Sequence, residues 1–172
     1  MKKLITVFII AAMLLLAVAC TGGNAAPQGD FTKADMGIKI GDTTYSIRTD
    51  SAPLIEALGP DYEYSYVVSC VYDGDDKTYE YDGIVVSTVP VDGKDIIEMI
   101  TITSDNYTTL RGITVGATLD DIVAAYGDKY FDDGYITYTY DNDPENYNTE
   151  RLQFELDDSG KVATIYIYSP SY

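Results

Sequence analysis

The sequence predicts an α+β fold built from two rounds of one plan, each a short helix followed by antiparallel strands. Three observations carry the prediction. Leu119, Ile122, Val123 and Tyr126 recur at helical spacing, and Leu54-Ile-Glu-Ala-Leu-Gly59 echoes Ile122-Val-Ala-Ala-Tyr-Gly127. Leu152, Phe154 and Leu156 alternate strictly with Gln153 and Glu155, the pattern of a strand with one face buried and one wet. Turn chemistry punctuates the rest at Asp73-Gly-Asp-Asp76, Asp92-Gly-Lys94 and Asp157-Asp-Ser-Gly160. Helices of about two turns cannot stand alone in water, so they must dock on one face of the sheet.

The elements follow in chain order. Lys2 and Lys3, the apolar run Leu4–Val18 and the small residues Ala17-Val-Ala19 have the plan of a secretory signal, 1–19, too short an apolar run to span a bilayer. Residues 20–35 are polar, rich in Gly, Ala and Asp, and read as a flexible tether. The first α+β repeat, 36–105, opens with Gly37-Ile-Lys-Ile-Gly41 and an added strand near Thr44–Arg48. Asp50 or Ser51 should cap its helix just before Pro53, with strands near Tyr62–Tyr72, Thr78–Tyr81, Ile84–Val89 and Ile96–Thr103. The second repeat, 106–172, starts with an extended Gly112–Gly116. Thr118 and Asp121 approximate a capping box, Gly127 stops the helix, and strands follow at about Tyr135–Tyr140, Arg151–Leu156 and Lys161–Tyr168.

Leu16-Ala-Val-Ala-Cys20 resembles the bacterial lipobox, although Ala17 stands where Leu is commonest. The resemblance implies a diacylglycerol thioether on Cys20 as the first mature residue, hence a lipoprotein held on the extracytoplasmic side of the cell membrane. Two buried acyl chains hold stably where one does not. The run Gly112-Ile-Thr-Val-Gly-Ala-Thr-Leu-Asp-Asp-Ile-Val-Ala-Ala-Tyr-Gly127 resembles the helical entry of the SmpA/OmlA lipoproteins and of the β-lactamase-inhibitor-protein fold. The tandem layout from Gly37 to Tyr168 is similar to the latter, and the whole chain looks most like uncharacterised lipoproteins of clostridia and their relatives. It departs from the inhibitor protein in lacking Trp and the disulfide of each half. The resemblance implies fold and a binding role in general terms, and no contact residues.

Composition narrows the chemistry. Losing residues 1–19 would leave 153 residues and take the net charge from −17 to −19, so nucleic acid and anionic lipid headgroups are repelled. With no His, the commonest general base and the usual Ser and Cys triads are missing. No cofactor or metal site is expected. The acidic loops Asp73–Asp76 and Asp141–Asn146 lack the helix-loop-helix calcium spacing and suit turns. Cys70, in Val67-Val-Ser-Cys-Val71, reads as a buried strand thiol, and the Asn106-Tyr-Thr108 glycosylation pattern means little in a bacterial export.

The unusual feature is 17 tyrosines against four Phe and no Trp. They alternate at Tyr62, Tyr64 and Tyr66, at Tyr79 and Tyr81, at Tyr138 and Tyr140, and at Tyr166 and Tyr168. Tyr fills half-buried strand positions well and also suits protein or sugar contacts. On the last strand Ala163, Ile165 and Ile167 take the core side, leaving Tyr166 and Tyr168 to face away from the helices. Tyr138, Tyr140, Tyr166 and Tyr168 therefore form the expected binding face. The expected activity is non-catalytic binding of another protein, with a structural role in envelope assembly or carbohydrate and small-ligand binding as alternatives.

Overall fold

The computed structural model describes residues 29–170; Cys20, the signal segment and most of the tether lie outside them. A single 3-10 turn, Lys33–Asp35, leads into β1 (Gly37–Ile40), β2 (Thr43–Ser46), α1 (Ala52–Leu58), β3 (Glu63–Val68), β4 (Asp75–Tyr81), β5 (Ile84–Val91) and β6 (Lys94–Ile102). Then come β7 (Thr108–Thr109), α2 (Leu119–Tyr126), β8 (Phe131–Asp132), β9 (Ile136–Tyr138), β10 (Arg151–Leu156) and β11 (Val162–Tyr168). The fold is α+β, mostly antiparallel sheet with two helices.

Eight strands form one sheet in the order β3-β4-β5-β6-β11-β10-β9-β8, and β2-β1-β7 form a second, smaller one. Each helix is followed by four consecutive neighbours of the large sheet, and the two runs meet where β6 lies antiparallel to β11, Ile102 opposite Ile165 and Ile100 opposite Ile167. One face of the sheet carries Ile84, Val86, Ile100, Ile102, Ile165, Ile167, Leu152 and Phe154, all fully buried. Leu54 of α1, Ile122 and Tyr126 of α2 and Ile38 of β1 join them in one apolar cluster. Helices and small sheet therefore cover this face together, each large buried side chain contributing about 1.5–3 kcal/mol.

The caps follow the residues that announce them. Thr118 Oγ1 accepts from the Asp121 amide at 3.3 Å while an Asp121 oxygen accepts from the Thr118 amide at 2.8 Å, closing the box. At α1, Ser51 occupies the cap without a side-chain bond, and Asp50 accepts the Ala52 amide at 3.1 Å instead. Both helices stop at glycines with nearly the same backbone, Gly59 at φ 92° and Gly127 at φ 86°. A tyrosine pins each stop: Tyr138 donates to the Gly127 carbonyl at 2.7 Å, and Tyr81 to that of Gly59 at 3.3 Å.

Several expectations need correction. Gly112–Gly116 is not a strand: the chain turns there, the Ile113 carbonyl accepting from the Thr109 amide at 2.9 Å, and β7 pairs with β1 in its place. The body begins before residue 36, because Phe31 is buried against Tyr126 and Tyr138 and Asp35 is buried beside Arg111. Apolar and ion-pair anchoring overrides the polar composition of residues 29–35. The strand expected over Tyr62–Tyr72 stops at Val68, and Cys70 is exposed in the bend beyond it, because β3 is an edge strand that nothing covers.

Candidate functional site

The four tyrosines picked from the sequence do not share one surface. Tyr138 is buried, its ring between Phe31, Tyr126 and Phe154 and its hydroxyl on the α2 stop. Burial pushes its phenol well above the usual value, with Tyr130 next in effect, so it is a packing residue and not part of an open face. Tyr140 stands at the mouth of a polar cleft with Lys33, Arg48 and Glu150. Its hydroxyl donates to Glu150 at 2.7 Å, and Lys33 pairs with the same carboxylate at 2.9 Å. Burial opposes the charge on Glu150, but Lys33 and Tyr140 outweigh it and hold the carboxyl below its usual range.

Tyr166 and Tyr168 do lie opposite the core side of β11, half-buried on the face turned away from the helices. With Met99, Tyr135 and Gln153 they line a shallow groove of about 290 Å³. Tyr135 meets the Tyr166 ring edge-on at 5.9 Å, and Tyr166 donates to Glu155 at 3.0 Å.

The most open aromatic surface lies at the other end of the sheet. Six of the nine strongly exposed large apolar side chains among the described residues fall between residues 62 and 71: Tyr62, Tyr64, Tyr66, Val67, Val68 and Val71. Register places Tyr64 opposite Tyr79, which lies opposite Val86, so Tyr62, Tyr64 and Tyr66 share the helix-side face. Their rings run on into β4: Tyr64 to Tyr66 at 6.1 Å, Tyr64 to Tyr79 at 5.4 Å, Tyr62 to Tyr81 at 5.3 Å. Beside them a cleft of about 540 Å³ is walled by Tyr62, Tyr79 and α1, with Asp50, Glu56 and Asp95 contributing carboxylates. Burial, and then Tyr62, push the Tyr81 phenol up to about 12. Lys77 sits next to them with both nearest Asp95 oxygens at 2.7 and 2.9 Å.

The sequence shows the alternation of Tyr62, Tyr64 and Tyr66 without showing that β3 closes the sheet.

The acidic loop Asp141–Asn146 holds itself. Asp141 accepts from Asn146 at 2.6 Å and Asp143 from the Glu145 amide at 3.0 Å. Among the described residues no group of three or more acids or cysteines converges as a metal site would require. Glu98 is pushed upward by burial and then by Asp76. No family model, curated protein or solved structure matches this chain, so the chemistry of its own surfaces carries the functional reading.

Proposed function

We propose that this chain is a lipid-anchored bacterial lipoprotein whose body is a non-catalytic, extracytoplasmic binding module for another protein. The observation that carries the reading is the exposed tyrosine and valine surface of β3, continued by Tyr79 and the cleft beside α1. A monomer rarely leaves so contiguous an apolar patch open, and tyrosine brings rigid area and a hydroxyl at small entropic cost. The lipobox-like Leu16–Cys20 supports the anchor. Anchored there, the nine residues 20–28 would reach at most about 30 Å when extended. Arg111, Lys129 and Lys33 fasten residues 29–35 to the α2 side of the body, far from β3, which would leave β3 free to meet a partner.

The tandem reading of the body belongs here too. The matched glycine stops, the tyrosine-to-stop hydrogen bonds from β4 and β9, and the meeting of the two fourth strands support two repeats like those of the β-lactamase-inhibitor-protein fold.

The test is crosslinking on intact cells, comparing the natural chain with a Tyr64→Ser, Tyr66→Ser double variant and with Cys20→Ala. The double variant should fold and stay membrane-bound but lose its crosslinked protein. Cys20→Ala should lose lipid labelling and leave the membrane. An unchanged crosslink in the first, or unchanged membrane retention in the second, overturns the corresponding half of the proposal. The groove of Met99, Tyr135, Gln153, Tyr166 and Tyr168 favours a second reading, carbohydrate binding, which predicts a thermal shift with cell-wall fragments that Tyr166→Ser removes.

A further inference from the structure

The β3 strand differs from the opposite edge of its sheet. The far edge, β8, is two residues long, as natural edges usually are. β3 runs for six residues, Glu-Tyr-Ser-Tyr-Val-Val, without Pro, Lys or bulge, and all six are exposed. Its pairing with β4 fixes which groups face outward. The Ser69 amide donates to the Gly74 carbonyl at 2.9 Å, so residues at odd numbers turn their amides and carbonyls toward β4. Those of Tyr64, Tyr66 and Val68 consequently point away from the sheet, and Tyr66 and Val68 are 61% and 77% exposed.

We infer that β3 is a docking edge at which an extended, lysine- or arginine-rich segment of another protein adds as a further antiparallel strand. This rests on the protein-binding reading above and supplies the partner's chemistry. Charge selects the partner: residues 63–81 carry five acids and one base, and that base, Lys77, is already held by Asp95. A second copy of this chain, with net charge −17 over its full length, would bring a second acidic body edge to edge with the first. A basic strand meets the opposite situation. Side chains from its alternate positions would lie over the rings of Tyr64 and Tyr66, where a cation is attracted to the aromatic face, in the acid-rich surroundings of β3 and β4.

The experiment follows backbone amide exchange of the full chain with a decapeptide of alternating lysine and valine. Tyr64, Tyr66 and Val68 should gain protection, and the same peptide N-methylated at alternate residues should give none. Tyr66→Pro removes an outward amide while leaving the β4 ladder intact, and should bind about threefold to tenfold more weakly than Tyr66→Ser, which keeps it. Equal binding of the N-methylated peptide, equal binding of a glutamate–valine decapeptide, or protection confined to the Tyr166 face would overturn strand addition. So would concentration-dependent protection of the same three amides without peptide, which would assign the edge to a second copy. A crosslink lost in the Tyr64→Ser, Tyr66→Ser variant with no amide protection by the peptide would keep the binding surface and overturn strand addition alone.

Discussion

Arg111 carries its donors into a space where only 5% of its side chain meets solvent. Its fork gives two bonds of 2.7 Å to the Asp35 carboxylate and reaches the carbonyls of Gly29, Asp30 and Ala125 at 2.9 to 3.0 Å. The guanidinium also lies 5.0 Å from the Tyr126 ring. A lysine offers neither the fork nor the plane, so this arrangement is specific to arginine. Asp35→Asn leaves that cation nearly buried with half its compensation gone and should cost about 3 kcal/mol in urea denaturation. The pH dependence has a definite sign. Burial opposes the charge on Asp35, but Arg111 and Thr32 outweigh it and hold the carboxyl below its usual range. Its stabilising effect is therefore complete above the unfolded value of about 4 and is lost as pH falls through the folded one. The natural chain should lose stability relative to Asp35→Asn on acidification below about pH 4, the gap narrowing as both forms become neutral. Parallel curves for the two proteins would refute the assignment.

The elements most legible in the sequence are those whose signals are local. The α2 box of Thr118 and Asp121, its stop at Gly127 and the alternation of Arg151–Leu156 depend on neighbours a few residues away, and they form where expected. Gly37 belongs with them for a reason the sequence hides: a Cβ there would overlap the Tyr45 carbonyl across the β1–β2 hairpin. What failed was whatever depends on the order of strands. A valine-rich segment such as Val67–Val71 looks buried until β3 is known to be the edge, and Tyr138 looks exposed until β9 is known to pass under the α2 stop. The candidate surface was legible as an excess of alternating tyrosine, but not which of those tyrosines lie on one open face. The two helix stops offer a direct comparison. Tyr138→Phe removes a 2.7 Å bond from a fully buried ring and should cost about 1 to 1.5 kcal/mol. Tyr81→Phe removes contacts of 3.3 and 3.5 Å at a less buried site and should cost less than half as much. A larger loss for Tyr81→Phe would mean that the β4 tyrosine cluster is a structural core and not an accessible surface.

Across the whole molecule, charge is the feature that no single element accounts for. The chain has 28 acids and 11 bases, and its described cations are largely committed to nearby carboxylates: Lys33 to Glu150, Lys77 to Asp95, Lys94 to Asp50, Lys129 to Asp30, Arg111 to Asp35. Lys39 lies near Asp42, and with only Arg48, Arg151 and Lys161 besides among the described residues, most of the remaining acids have no cation to offset them. A body of this length has a radius of gyration of about 15 Å. At 10 mM salt the screening length is about 30 Å, so every acid feels every other, whereas at 150 mM it is about 8 Å and only neighbours interact. Raising salt weakens two things at once, the general repulsion and the exposed ion pairs. Exposed pairs contribute at most about 1 kcal/mol each, and the Arg111–Asp35 pair is shielded from screening by its burial. The repulsion, summed over the uncompensated acids, should dominate. The midpoint of thermal unfolding at neutral pH should rise by roughly 3–5 °C between 10 and 150 mM sodium chloride. A midpoint that fell instead would show that the surface pairs outweigh the acid excess, and would remove the electrostatic ground for a cationic partner at β3.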